Sequence, residues 1–161
     1  MRGSVLFVSG LITGVAVSVG VAQNANTGVS MMNHVGINVP NIPDAVKYYT
    51  DKMGYREAFR VNGKDGAPTL VYMYISNNTF LELGQANADR PAGFTHYGLV
   101  VDKASAAVSA FRGRGITVTD ASKSANSGAI LANITDPYMG RVELVEITPD
   151  SMQAKAIANA K

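Results

Sequence analysis

Hydrophobic and polar positions follow the same order twice along the chain. Residues 33–39 alternate polar and apolar side chains, are rich in β-branched residues and stop at Pro40, which predicts a β-strand. From Pro43 the apolar residues recur at helical spacing until Gly54, which predicts a helix. Three short β-prone segments complete this first unit, at residues 55–61, 70–75 and 79–83, with turn residues between them.

After a polar connector at residues 85–93, the same order returns. The second copy comprises a strand at 95–101, a helix at 103–112 and strands at 116–119, 128–134 and 141–147. Equivalent residues of the two predicted helices are 62 positions apart. Ala45 and Val46 of the first helix thus correspond to Ala107 and Val108 of the second. The sequence therefore predicts an α+β fold of two βαβββ modules, at residues 32–84 and 94–148.

The two ends of the chain differ in composition from this repeat. An early positive charge, a long apolar stretch and the small residues Gly20 and Ala22 predict a signal peptide at residues 1–22, cleaved after Ala22. An uncleaved anchor and a buried N-terminal helix are the alternatives. A polar linker is predicted at 23–31, and an Ala-rich tail at 149–161 is expected to be a frayed helix or disordered.

Composition narrows the class of partner. The chain has 161 residues, of which 47% are hydrophobic, which suits one domain at residues 32–148 with its own core. A net charge of +2 without basic runs indicates no nucleic-acid partner. The absence of cysteine excludes disulfides and thiolate ligands. We expect a secreted or periplasmic protein that binds a small molecule and has no membrane contact once the signal peptide is removed.

The only two histidines of the chain occupy equivalent places in the two modules. His34 opens the phrase HVGINV and His96 opens the phrase HYGLVV. Two glutamates also correspond, because Glu82 lies in the phrase FLEL and Glu143 in the phrase RVEL. If the strands curve toward one concave face, all four side chains can converge there.

Two imidazoles and two carboxylates form a mixed nitrogen and oxygen donor set that suits a divalent Zn, Ni, Fe, Mn or Co ion. Four protein ligands leave coordination positions open for water or substrate, as in catalytic metal sites. The sequence therefore predicts a metal site formed by His34, Glu82, His96 and Glu143. The alternative is that each histidine is an ordinary structural residue of its strand.

These phrases resemble the vicinal oxygen chelate superfamily, which includes glyoxalase I, extradiol dioxygenases, methylmalonyl-CoA epimerase, and fosfomycin and bleomycin resistance proteins. The resemblance covers about residues 32 to 148 and is carried by NHVGINV, DAVKYYTDKMGY, TFLELGQ, THYGLVV and DPYMGRVELVEI. It implies two βαβββ modules that form an incomplete barrel around a metal site. It also implies a homodimer, since the barrel of these proteins is often completed within a dimer.

Among these proteins the chain is most similar to glyoxalase I, because residues of the right type stand at all four metal positions. The resemblance implies a metal-dependent lyase or isomerase of the lactoylglutathione lyase type, with Glu143 as the catalytic base and Glu82 as its counterpart across the metal. Asn38 and Ala86 stand where bacterial glyoxalase I has an arginine and an asparagine that recognise glutathione. The resemblance thus covers the metal chemistry and not glutathione recognition.

Two other functions are compatible with the sequence. Extradiol-type dioxygenases use a related His, His, Glu iron site but commonly add further histidines, which this chain lacks. Non-enzymatic binding or resistance proteins of the bleomycin group generally lack the metal ligands. The predicted function is therefore an exported enzyme of the glyoxalase I type that acts on a small substrate with vicinal oxygens.

Overall fold

The computed structural model describes residues 26–160, which form one mixed eight-stranded sheet and three helices. The first module comprises β1 (Val29–Val39), α1 (Ile42–Met53), β2 (Arg56–Asn62), β3 (Pro68–Tyr74) and β4 (Phe80–Gln85). The second comprises β5 (Gly93–Val101), α2 (Ala104–Gly113), β6 (Ser122–Lys123), β7 (Ile130–Asp136) and β8 (Gly140–Glu146), and α3 (Met152–Ala158) follows it.

Each module fills one half of the sheet. The strand order is β2-β3-β4-β1-β5-β8-β7-β6, so the modules meet at the antiparallel pair of β1 and β5. In each half the first strand of the module lies parallel to its last strand, β1 with β4 and β5 with β8. The sheet stays open, with β2 and β6 at its edges. The predicted α+β fold with two βαβββ modules is confirmed.

Local sequence explains where the two long helices begin and end. Asn41 caps α1, since its Oδ1 accepts a hydrogen bond from the backbone N–H of Asp44 at 3.0 Å. Gly54 ends α1 in the left-handed conformation, with φ of 70°. The cap at the start of α2 comes from a side chain of β8. The carboxylate of Glu146 accepts a hydrogen bond from the backbone N–H of Ala104 at 2.9 Å. The helices are thus fixed at defined places on the sheet.

The helices α1 and α2 cover one face of the sheet. Ile42 of α1 is fully buried in a cluster with Leu83 of β4, and Ala104 of α2 packs in a matching cluster with Leu144 of β8. Side chains alternate along a strand, so the neighbours of these apolar residues point to the other face. The four predicted site residues all lie at those alternate positions, and the uncovered face is therefore free to hold a site.

One predicted strand of the second module is wrong in position. Of residues 116–119, only Val118 forms a bridge to Ile134 of β7, and the paired strand is β6 instead. Two backbone hydrogen bonds join this segment to β7, from the N–H of Thr119 to Asn133 and from the N–H of Thr135 to Thr117. The carbonyl of Val118 points away from β7 and accepts from Nη2 of Arg112 at 2.7 Å, so the segment is also held to the end of α2.

The N-terminal bounds of the domain also differ from the prediction. β1 begins at Val29, so the last three residues of the predicted linker belong to the strand. The predicted signal peptide at residues 1–22 lies outside the described residues. Among residues 26–160, none of the helices has the length and hydrophobicity needed to cross a bilayer.

The tail after β8 is an ordered helix, which the Ala-rich sequence did not distinguish from a disordered segment. Ser151 caps α3 by accepting a hydrogen bond from the backbone N–H of Ala154 at 3.2 Å. Ala156 packs in a cluster with Tyr72 and Phe80, two aromatic residues of the first module. The tail therefore covers part of the face of the sheet that α1 and α2 leave open.

Replacing Ser151 by alanine should lower the free energy of unfolding by about 1 kcal/mol. The hydroxyl of this fully buried serine accepts from Ala154 and also donates to the carbonyl oxygen of Thr148 at 2.7 Å. Urea denaturation measures the change. The control is Ser109→Ala, which removes an exposed hydroxyl from α2 and should change stability by less than about 0.5 kcal/mol. Equal stability of the two variants would contradict a docked α3.

Candidate metal centre

The central strands β1 and β5 bring the two histidines together. In their antiparallel register His34 lies opposite Gly98, and His96 lies opposite Gly36. The two imidazoles meet with their Nε2 atoms 2.9 Å apart, and their residues are 0% and 1% exposed. The repeated phrase of the sequence thus places both rings at one buried point.

The glycine opposite each histidine makes room for its ring. A Cβ atom on Gly98 would lie 2.2 Å from Cε1 of His34, and a Cβ atom on Gly36 would lie 2.3 Å from Cε1 of His96. Either distance is far shorter than a van der Waals contact. The phrase therefore needs glycine two residues after each histidine, so that the opposite imidazole can lie across the strand.

The two glutamates reach the same point from the flanking strands. Glu82 of β4 and Glu143 of β8 each lie beside the glycine of the neighbouring central strand. The Oε2 atoms of Glu82 and Glu143 both lie 3.5 Å from Nε2 of His34. Oε2 of Glu82 is also 3.8 Å from Nε2 of His96. The structure therefore brings together all four side chains singled out in the sequence.

Burial keeps the imidazoles neutral. It lowers the pKa of His34 to about 3, with smaller effects from His96 and Arg141. Burial, followed by the charge of Arg141, lowers the pKa of His96 to about 3 as well. A neutral imidazole is the form that binds a metal ion.

Burial acts on the carboxyl groups in the opposite direction. Burial and then the charge of Glu82 raise the pKa of Glu143 to about 7, although Arg141 opposes the shift. Burial raises the pKa of Glu82 too, while a hydrogen bond from the Tyr72 hydroxyl and the charge of Arg141 oppose it. Two buried carboxylates with a raised proton affinity favour a nearby cation.

The donor set fits a divalent metal ion. One ligand atom from each of His34, His96 and Glu143 lies within 4.8 Å of the others, and Glu82 supplies a fourth donor at the distances given above. Neutral imidazoles and carboxylates are the ligands that Zn, Mn, Fe, Co and Ni share. The cluster could therefore hold such an ion, and the identity of the ion stays open.

The residue before each histidine contacts the outer nitrogen of its ring. Nδ1 of His34 lies 2.8 Å from Oδ1 of Asn33, and Nδ1 of His96 lies 2.8 Å from Oγ1 of Thr95. A proton on Nδ1 that is held by such an acceptor leaves Nε2 free to bind a metal. Sequence reasoning missed these two residues, although their equivalent positions in the repeat were a signal that could have found them.

Arg141 is a further neighbour that the sequence did not indicate. Its Nη2 lies 2.6 Å from Nδ1 of His96, and its Nη1 lies 3.8 Å from Oε1 of Glu143. It precedes Glu143 by two residues on β8, so both side chains point to the same face. The cluster therefore has one fixed positive charge beside it.

The cluster opens to a cavity of about 520 Å³. Most of its lining residues are polar or charged, and they come from both modules and the connector. They are Asn38, Thr69, Leu70, Glu82, Gly84, Arg90, Thr95, Asn126 and Arg141. Glu82 joins the cavity to the cluster. A small molecule in the cavity can therefore reach the cluster through Glu82.

A family model that describes the glyoxalase/bleomycin resistance protein/dioxygenase superfamily matches residues 33–132. The matched segment includes His34, Glu82 and His96 and covers more than half of the chain. The chain belongs to this superfamily. The predicted membership of the vicinal oxygen chelate superfamily is confirmed.

Solved structures show the same fold. Methylmalonyl-CoA epimerase from Mycobacterium tuberculosis has a TM-score of 0.63 at 20% identity, over 78% of this chain and 93% of that one. A variant of the Streptomyces coelicolor epimerase in complex with 2-nitronate-propionyl-CoA has a TM-score of 0.65 at 15% identity, over 76% and 98%. A 2,3-dioxygenase from Pseudomonas sp. KL28 has a TM-score of 0.63 at 15% identity, over 75% and 43%. No curated protein matches the chain.

Replacing Gly36 by alanine should lower the free energy of unfolding by about 1–3 kcal/mol, because the added methyl group overlaps the ring of His96. Gly98→Ala should do the same through His34. Gly113→Ala is the matched control, since nothing lies within 4 Å of the added Cβ atom at this last position of α2. Urea denaturation of the metal-free proteins measures all three. A Gly36→Ala variant as stable as Gly113→Ala would contradict the close contact between ring and strand.

Proposed function

We propose that this protein is a divalent-metal-dependent enzyme of the glyoxalase I type, which transfers a proton on a small substrate with vicinal oxygens. The observation that carries the proposal is the buried cluster of two neutral imidazoles and two carboxyl groups beside an open cavity. Membership of the superfamily and a shared fold with epimerases and a dioxygenase support an enzyme.

In this proposal His34, His96, Glu82 and Glu143 hold the ion. A divalent ion bound there supplies Lewis-acid polarisation of a substrate oxygen. The chain supplies the orientation of the ligands, because Asn33 and Thr95 contact the outer nitrogens of the two imidazoles.

Glu143 is the better candidate for the catalytic base. In the site without a metal ion, burial raises the pKa of Glu143 to about 7, which is close to the value that suits proton transfer at neutral pH. Glu82 is held by the Tyr72 hydroxyl, whereas the nearest partner of Glu143 outside the histidines is Arg141 at 3.8 Å. The Glu143 carboxylate would remove a proton from a carbon next to the polarised oxygen and return it to the adjacent carbon. Glu82 would remain a ligand of the ion.

The substrate is proposed to be other than a glutathione conjugate. Nδ2 of Asn38 donates to the carbonyl oxygen of Pro91 at 3.2 Å, so this side chain holds a loop of the protein. Position 86 is an alanine and offers no side-chain hydrogen bond to a ligand. The two positions implied for glutathione recognition therefore lack that function here.

Export and assembly complete the proposal. The apolar segment at residues 1–22 supports cleavage after Ala22 and a secreted or periplasmic location. A homodimer is proposed on the resemblance to proteins whose barrel is completed by a second subunit.

The proposal predicts that the purified protein retains a divalent metal and that hemithioacetals or related vicinal-oxygen compounds are turned over. In D2O the product should carry solvent deuterium, because the proton passes through a carboxylate that exchanges with solvent. Glu143→Gln should lower the turnover rate roughly a hundredfold or more. Glu57→Gln on β2 removes a carboxylate outside the cluster and is the matched control.

Three results would contradict the proposal. Metal content unchanged in His34→Ala and His96→Ala would place the metal elsewhere. Turnover of catechol alone, with consumption of oxygen, would favour the dioxygenase. Tight binding of ligand without turnover by a metal-loaded protein would favour a binding or resistance protein.

A further inference from the structure

Two arginines from different parts of the chain line the cavity beside the cluster. Arg90 belongs to the connector between the modules. Arg141 lies near the start of β8, on the same face as Glu143. Glu82 is the one acidic side chain that lines the same cavity, and the remaining lining residues are neutral. The described walls of the cavity therefore carry an excess of positive charge.

The guanidinium of Arg90 is available to a ligand. Within residues 26–160 it makes no side-chain hydrogen bond or ion pair, and the residue is exposed. Its backbone is nevertheless fixed, because Oδ1 of Asn87 accepts hydrogen bonds from the N–H groups of Asp89 at 3.0 Å and Arg90 at 2.9 Å. Asn38 fixes the next residue by donating to the carbonyl oxygen of Pro91 at 3.2 Å. The backbone around Arg90 is thus held by hydrogen bonds, while its guanidinium has no partner among the described residues.

Arg141 is positioned to serve both the cluster and the cavity. Its Nη2 donates to Nδ1 of His96 at 2.6 Å when that nitrogen carries no proton. When Nε2 of His96 faces a metal ion, the ring proton lies on Nδ1, and Oγ1 of Thr95 at 2.8 Å is then the acceptor. In that state Nη2 of Arg141 can bind an anion in the cavity, while its Nη1 stays near Oδ1 of Asn133 at 3.5 Å and Oε1 of Glu143 at 3.8 Å.

We infer that Arg90 and Arg141 form a subsite for a carboxylate or phosphate group of the substrate. The inference rests on the proposed function and specifies the substrate class as a small vicinal-oxygen compound that carries an anionic group. Guanidinium groups bind both anions through paired hydrogen bonds, and two of them face the cavity while one carboxylate opposes them. In this inference the two arginines recognise the substrate in place of the residues that bind glutathione in glyoxalase I.

Calorimetric titration of the full-length protein tests the subsite directly, without turnover. The probes are succinate, inorganic phosphate and neutral succinamide, each added to the zinc-loaded and the EDTA-treated protein. Succinate or phosphate should bind with a Kd in roughly the millimolar range or tighter, and succinamide should not. The preferred anion distinguishes a carboxylate from a phosphate substrate.

Variants assign the binding to the arginines. Arg90→Gln should weaken binding of the preferred anion about tenfold or more, and Arg90→Lys should weaken it less. Lys52→Gln removes an equally exposed positive charge from the last turn of α1 and should leave binding unchanged. Arg90 is exposed, so its variants should keep the melting temperature of the native protein, and Arg141→Gln is a supporting variant.

The inference is overturned if neither anion binds, if succinamide binds as well as succinate, or if Arg90→Gln binds the anion like the native protein. Metal analysis of the same samples separates it from the proposed function. Metal at the cluster without anion binding would contradict the subsite alone. Anion binding that depends on Arg90 in a protein that holds no metal would support the subsite and contradict the metal-dependent enzyme.

Discussion

Each of the two buried imidazoles lies against a glycine of the opposite central strand, and the geometry of the site depends on these two close contacts. The antiparallel register of β1 and β5 places His34 over Gly98 and His96 over Gly36. A side chain at either glycine would force a ring away from its partner. The same two strands join the modules, so the interaction that forms the site also lies at the centre of the fold.

The composition of the cluster follows from its burial. Burial lowers the pKa of both histidines and raises the pKa of Glu143, so each of these groups is less stable in its charged form than in water. A divalent cation would remove the repulsion between the carboxylates and bind the neutral imidazoles. Arg141 supplies a partial substitute, as it lies between His96 and Glu143.

The sequence predicted the parts of this structure that are repeated. The fold and the convergence of His34, Glu82, His96 and Glu143 follow from alternation and from one offset, which act locally along each strand. Features that depend on contacts between elements were missed. The strand predicted at 116–119 is reduced to a single bridge to β7 and is held to α2 by Arg112, and α3 is ordered by contacts with β3 and β4. Such contacts join residues distant in sequence, and no local pattern records them.

The cavity shows the same limit. Asn38 could be recognised in the sequence as a departure, but its bond to the connector and the resulting place of Arg90 depend on the folded loop. The repeat therefore indicates where a metal site can form, whereas the lining of the cavity beside it depends on the folded connector between the modules. Superfamily membership fixes the fold and leaves the substrate to such details.

The central claim is that the four side chains form one metal site. Anomalous X-ray diffraction from crystals of the zinc-loaded protein tests it most directly. The account predicts one peak per chain, about 2.0–2.2 Å from Nε2 of both His34 and His96 and from a carboxylate oxygen of Glu82 and of Glu143. A zinc peak at another place, or the absence of a peak between the two imidazoles, would contradict it.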